Sequence, residues 1–249
     1  MTARVLVVDY GVGNLLSVCR AFEACEAAVE LTDSAVRIAA AERVVLPGVG
    51  AFGDCIHELE RRELVRPILD FIASGRPLLG ICVGMQMLME VGEEFGEHAG
   101  LGVVAGRVRA IPAMGTDGRA HKIPHIGWNE LVKPSAATQW SGTILDGVPE
   151  RSSCYFVHSF TAEPTDARYR LADCDYDGRC VSAALRAGNV YGTQFHPEKS
   201  GEMGLRILRN FLGVVGQRHA RTCSGHPRLS YRKQDVDGRD EPGQDVEVL

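Results

Sequence analysis

A chain of 249 residues, 45% apolar and 24% charged, has ordinary globular proportions and the length for one sizeable α/β core or two small domains. Its net charge of -5 and pI near 5.9 give no general attraction for nucleic acid or an anionic membrane, and no apolar run approaches the roughly eighteen residues of a membrane span. The opening MTARVLVVDYGVGN reads as a strand entering a core, without the basic segment, long apolar stretch and cleavage site of a signal peptide.

Residues 4–9, RVLVVD, are a β-branched run that predicts a central strand. The turn Gly11–Asn14 then leads into LLSVCRAFEAC, whose apolar spacing predicts a helix packed on a sheet. A second strand is expected at Val29–Leu31, joined by a short connection to a buried strand at 43–48, RVVLPG, which Pro47 and Gly48 terminate. Cys55–Ala73 reads as helical, with Pro67 bending it or starting a second helix. Gly75–Leu79 leads into a strand and a sharp turn around Ile81, Cys82 and Val83, after which GMQMLMEVGEEF resumes helical periodicity from Gly84. This alternation predicts an α/β fold with an open, largely parallel central sheet flanked by helices, and with active-site loops beyond the carboxyl ends of its strands.

Patterned runs near VVAGRVRAIP, YFVHSFTAE, YRLADCDY and VSAALRAGNVYGTQFHPEKS predict further strands, some antiparallel, before a final helix over Glu202–Leu212. From residue 217 the composition changes, first basic (RHARTCSGHPRLSYRKQ) and then mainly acidic (DVDGRDEPGQDVEVL). Low apolar content with several glycines and prolines predicts a flexible extension over 217–249, beyond a domain spanning 1–216. The eight cysteines sit mostly in apolar or helical patterns, where a reduced thiol behaves as a small hydrophobe, so a reducing cytoplasm is expected.

Cys82 is the exceptional thiol. Gly80-Ile81-Cys82-Val83-Gly84 has the form of a nucleophile elbow, in which flanking glycines permit close backbone passage at a strand–turn–helix junction. A thiol there faces a ligand while the helix N-terminus favours its thiolate. His196, in GTQFHPEK after a strand-like run, is a candidate base and acid, and Glu198 at i+2 a candidate to orient it. Backbone amides at Gly48, Val49 or Gly50, together with that of Val83, are candidates for an oxyanion hole whose geometry is adjusted when partner or substrate binds.

DYGVGNLLSV at 9–18, PGVGAFGD at 47–54, GICVGMQML at 80–88, KIPHIGWNE at 122–130, YFVHS at 155–159 and GTQFHPEKSG at 192–201 together resemble the class I glutamine amidotransferases. Within them, the chain resembles the glutaminase subunits of imidazole glycerol phosphate synthases of histidine biosynthesis. The resemblance covers most of residues 4–212 and departs at Val83, where the family often has leucine; the apolar exchange keeps the backbone N–H. It implies Cys82 as nucleophile, His196 as base and acid, Glu198 as its orienting carboxylate, and Gln86 as a group that holds glutamine or shapes its pocket. It also implies a (β/α)8-barrel cyclase partner in a heterodimer, with Asn14, Trp128, Tyr155 and Lys199 at the interface.

The implied chemistry takes glutamine to glutamate and ammonia through a thioester, with no metal or organic cofactor. The ammonia passes to the cyclase, which converts PRFAR into imidazole glycerol phosphate and 5-aminoimidazole-4-carboxamide ribonucleotide. A glutaminase serving another synthase and a non-catalytic regulatory subunit are the competing readings. His121 and His125 have a ligand-like interval, with Cys174 and Cys180 as conceivable sulfur donors, but Pro124 intervenes and no compact four-ligand motif is present; structural or solvent-facing roles are expected.

Overall fold

The computed structural model describes residues 2–135 and 138–216. The predicted extension at 217–249, with Cys223, lies outside the described residues. In chain order the first half comprises β1 (Arg4–Val8), α1 (Leu15–Glu23), β2 (Ala28–Thr32), α2 (Ala35–Ala40), β3 (Val44–Gly48), α3 (Phe52–Arg61), α4 (Val65–Ala73), β4 (Leu78–Cys82) and α5 (Val83–Gln86). It continues with β5 (Met89–Gly92), β6 (His98–Ala99), β7 (Val104–Ala110), β8 (His125–Glu130), β9 (Ser153–His158) and β10 (Phe160–Pro164). The last elements are β11 (Arg170–Tyr176), β12 (Arg179–Ala187), β13 (Val190–Thr193) and α6 (Gly201–Gly213).

The central sheet has seven strands in the order β11-β12-β13-β4-β3-β1-β2. Pairing is parallel from β13 to β2, and the antiparallel hairpin β11–β12 extends the β13 edge. The strands β3, β4 and β13 are buried throughout, which is why VVLPG, LLGIC and VYGT read as continuous rather than alternating apolar runs. Helices α1 and α6 meet through an edge-to-face contact of Phe22 and Phe211, with ring centroids 6.2 Å apart. A second sheet, β10-β7-β5-β6, and a separate ribbon, β8–β9, are built from the irregular middle of the chain.

Two expectations need correction. The connection between the second and third strands contains a short helix, α2, capped by the Ser34 hydroxyl accepting from the Arg37 N–H. The helical reading of GMQMLMEVGEEF holds for only one turn, since Met89–Gly92 is a strand paired with β6 and β7. Met87, Leu88 and Met89 are consecutive and all buried, so at the point where helix gives way to strand no polar position tells one periodicity from the other. Long-range pairing then decides it. The Leu88 carbonyl accepts the N–H groups of Val103 and Val104, and Met89 lies opposite Val104.

The predicted 55–73 helix is two helices, broken at Glu63 with φ 57°, and Pro67 sits in the first turn of α4, where its missing N–H leaves no helical bond unmade.

Candidate active site

Parallel register brings three segments distant in sequence to one end of the sheet. Gly48 at the end of β3 pairs with Cys82 at the end of β4, and Thr193 at the end of β13 pairs with Ile81. The loop after β3, the elbow after β4 and the segment after β13 therefore emerge side by side, beyond the strands' carboxyl ends. The Tyr10 hydroxyl donates to the Pro47 carbonyl at 2.7 Å and ties the exit of β1 to the start of that loop.

The elbow makes the close backbone passage that its flanking glycines predict, and its cysteine is strained. Cys82 has φ 55° and ψ -113°, a conformation rare for a residue with a side chain. A Cβ on Gly84 would lie 1.9 Å from the Leu46 carbonyl oxygen, and one on Gly80 would lie 2.5 Å from the Gly84 carbonyl oxygen. Only glycine permits this crossing. The turn holds the Cys82 sulfur at a cavity of about 250 Å3, whose walls include Val49, Gly50, Val83, Gln86, Glu94, His158, Phe160 and His196.

His196 is buried in the wall of this cavity. Its backbone N–H donates to the Tyr155 carbonyl at 2.9 Å, and its carbonyl accepts from the Ser200 hydroxyl at 2.7 Å. The Nδ1 atom lies 2.8 Å from Glu198 Oε1, and Nε2 has no hydrogen-bond partner among the described residues. Burial opposes protonation of the imidazole, but the Cys82 sulfur and the Glu198 carboxylate outweigh it and raise its pKa to about 9. The ring is thus held in its protonated form, with Nε2 free of protein partners among the described residues. Cys82 and His196 thus line one cavity, and Glu198 is paired with the His196 ring.

The remaining predicted residues divide. Val49, Gly50, Val83 and Gln86 line the cavity, whereas Gly48 ends β3 behind it, opposite Cys82. Trp128 and Tyr155 face each other across the β8–β9 ribbon, rings 6.0 Å apart, and Lys199 Nζ stands 5.8 Å from the centroid of the Tyr155 ring. Trp128 is 59% exposed, so this cluster presents an aromatic surface immediately outside the strand that anchors His196. Asn14 occupies the N-cap position of α1 without a side-chain capping bond. His121 and His125 do not converge with Cys174 and Cys180: His121 pairs with Asp177 at 3.1 Å, and His125 with His158 at 3.0 Å.

Two further residues were missed. Gln194 donates to the Cys82 sulfur at 3.8 Å and accepts from Gln86 Nε2 at 3.0 Å, completing a polar floor beneath the thiol. Its signal was a polar side chain within the buried run VYGTQF. Glu94 lines the cavity and accepts the Phe52 N–H at 2.8 Å, placing a carboxylate at the N-terminus of α3. It stood within the segment read as helix.

The model of the family "Glutamine amidotransferase class-I" matches residues 6–214. The imidazole glycerol phosphate synthase subunit HisH 1 of Legionella pneumophila (strain Lens) is 53% identical over 210 residues, covering 84% of this chain and 99% of the relative. The HisH subunit of Rhodopirellula baltica is 49% identical over 210 residues, covering 83% and 96%. Among solved structures, PurLQS from Thermotoga maritima aligns with a TM-score of 0.61 at 20% identity, over 86% of this chain and 99% of that one. A glutamine amidotransferase of the same organism aligns with a TM-score of 0.52 at 19% identity, covering 83% and 80%. At these identities the structural likeness speaks for the fold alone, whereas the sequence matches span the elbow, the histidine segment and nearly everything between. The chain belongs to the class I glutamine amidotransferases, in the branch of the HisH subunits of imidazole glycerol phosphate synthase.

Proposed function

We propose that this chain hydrolyses glutamine at Cys82 and delivers the ammonia to a (β/α)8-barrel cyclase subunit in a heterodimer. The observation that carries the reading is the strained elbow, which holds a thiol at a cavity backed by a His196–Glu198 pair. The thiolate attacks the γ-carboxamide carbon, and the carbonyl oxygen takes up negative charge. Backbone N–H groups of Val83 and of the Val49–Gly50 turn are the donors offered to that oxygen. The His196 imidazolium gives its proton to the departing nitrogen, ammonia leaves, and a γ-glutamyl thioester remains. The neutral imidazole then takes a proton from water as it attacks the thioester, which releases glutamate and restores the thiolate–imidazolium pair. Gln86 and Glu94 give glutamine an amide and a carboxylate to bind, the latter complementing its α-ammonium group.

The aromatic cluster of Trp128 and Tyr155, with the Lys199 cation, suits a partner interface, with Asn14 a further contact. Cyclisation of PRFAR to imidazole glycerol phosphate and 5-aminoimidazole-4-carboxamide ribonucleotide then belongs to the partner. Free thiols at the seven described cysteines support a reducing cytoplasm as the setting. The catalytic unit is taken as residues 1–216, with 217–249 an appendage, because the HisH relatives are covered almost end to end without it.

The test compares glutamine turnover by the chain alone and with the cyclase, for wild type and Cys82→Ser. Turnover should rise strongly with the cyclase, and the variant should lose about 10^4-fold or more in kcat while remaining folded and partner-bound. A folded Cys82→Ser protein with wild-type turnover would remove the nucleophile, and indifference to the cyclase would remove the partner.

A further inference from the structure

Two buried histidines, His158 in the cavity wall and His125 behind it, form a hydrogen-bonded chain that the triad chemistry does not use. His158 Nδ1 lies 2.8 Å from the Phe160 carbonyl, and His158 Nε2 lies 3.0 Å from His125 Nδ1. His125 Nε2 lies 3.4 Å from the Asn129 amide nitrogen. Both ends of this chain are fixed by backbone groups. A carbonyl only accepts, so the Phe160 end requires a proton on His158 Nδ1. At the other end, Asn129 Nδ2 donates to the Asp175 carbonyl at 2.7 Å and Asn129 Oδ1 accepts the Glu130 N–H at 2.7 Å. The amide group facing His125 is therefore its NH2, a donor, and His125 Nε2 must accept.

The two requirements meet in the middle without conflict. A neutral His158 protonated at Nδ1 offers Nε2 as an acceptor, and a neutral His125 protonated at Nδ1 donates to it. Each ring has one proton, every nitrogen is used, and all the bonds run in one direction. Tyr176 and Phe156 stack on His125 with centroids at 4.0 and 5.0 Å, which prevents the ring from turning out of line.

The chain ends on a shared acceptor. The Phe160 carbonyl also accepts from Gln86 Nε2 at 3.0 Å, and the same nitrogen donates to Gln194 Oε1 at 3.0 Å. Those two acceptors fix the Gln86 amide with its nitrogen toward the protein. We propose that His125 and His158 are positioning residues for glutamine binding, holding the Phe160 carbonyl, and through it the Gln86 amide, in the orientation that the cavity presents to substrate. The inference rests on Gln86 as a glutamine-binding side chain. It assigns a role to His125, which lines no part of the cavity, and to a proton arrangement that is the less common one for a free imidazole.

Nitrogen-15 spectra of the histidine rings, recorded on the full wild-type chain at neutral pH with and without its synthase partner, test the arrangement directly. Both rings are expected in the Nδ1–H form; an Nε2–H form of either ring overturns the proposal. Glutaminase kinetics of the assembled complex test the consequence. His158→Phe and His125→Phe should each raise the glutamine KM about tenfold, the worth of one neutral hydrogen bond, with kcat held within about threefold.

The double variant should match the single ones, because the pair acts as a unit. A structural role alone lowers kcat with the amount of folded enzyme and leaves KM unchanged, and that result overturns the proposal. Gln86→Ala measured alongside separates the two readings. If it leaves KM unmoved, the substrate role of Gln86 fails and the inference falls with it. If it raises KM and the histidine variants do not, only the positioning role fails.

Discussion

At the scale of single residues, the raised pKa of His196 is the quantity on which the proposed catalysis turns. Burial alone would keep this imidazole neutral and a poor donor to a leaving nitrogen. Glu198, its side chain almost wholly enclosed, offers one oxygen to Nδ1 at 2.8 Å and helps reverse that preference. Glu198→Gln removes the charge and keeps the volume. The His196 pKa should fall from about 9 toward the ordinary imidazole range, and kcat should drop by about tenfold to a hundredfold as the imidazolium becomes scarcer. Titrating the ring proton signals of His196 while measuring turnover checks both parts. A ring still titrating near 9 with unaltered kcat would show that Glu198 does not act on it.

At the scale of elements, the chemistry depends on how closely β3, β4 and the elbow approach one another. Gly84→Ala would place a methyl group within van der Waals overlap of the Leu46 carbonyl, and the atoms it meets are all backbone. The strand and turn must separate, at a cost of about 3 kcal/mol, and Cys82 must shift with them. A lowered urea midpoint and a loss of glutaminase exceeding the loss of folded protein are expected, and a wild-type midpoint would contradict the close crossing.

The same elements show what sequence could disclose. Buried parallel strands announce themselves as unbroken apolar runs, and glycines around a lone cysteine mark an elbow, so the sheet and the elbow were legible. The stretch after Gln86 was not, because its methionines and leucine are buried on every side and its strand character comes from Val103 and Val104 across the chain. Gln194 and the His125–His158 pair were hidden for a related reason. Their significance lies in hydrogen bonds to Cys82 and Phe160, which no local spacing encodes. The proposed partner face was half legible: PHIGWN and YFVHS stood out separately, but only the register of β8 against β9 sets Trp128 beside Tyr155.

At the scale of the whole molecule, the buried histidines divide into two groups with opposite effects of pH on stability. Burial lowers the pKa of His125 to about 4, with the nearby Asp177 opposing and His121 assisting. It lowers that of His158 to about 3, against the Phe160 carbonyl and with help from His125 and His196. An unfolded histidine titrates near about 6.5, so between that value and about 4 the unfolded chain binds protons that the folded pair refuses, and folding weakens as pH falls. His196 behaves in the reverse sense. Its folded pKa of about 9 exceeds the unfolded value, so its contribution is complete below about 6.5 and is lost as pH rises through 9.

The two slopes meet, and stability should be greatest close to pH 6.5. On the acid side the pair costs on the order of 3 kcal/mol between pH 6.5 and pH 5, before most carboxylates begin to titrate. Urea unfolding at pH 5, 6.5 and 8.5 should therefore give its highest midpoint at the central value. Replacing both His125 and His158 by phenylalanine should flatten the acid slope between 6.5 and 5 while leaving the alkaline slope, which belongs to His196, in place. An acid slope that survives the double replacement would place the proton uptake elsewhere in the molecule.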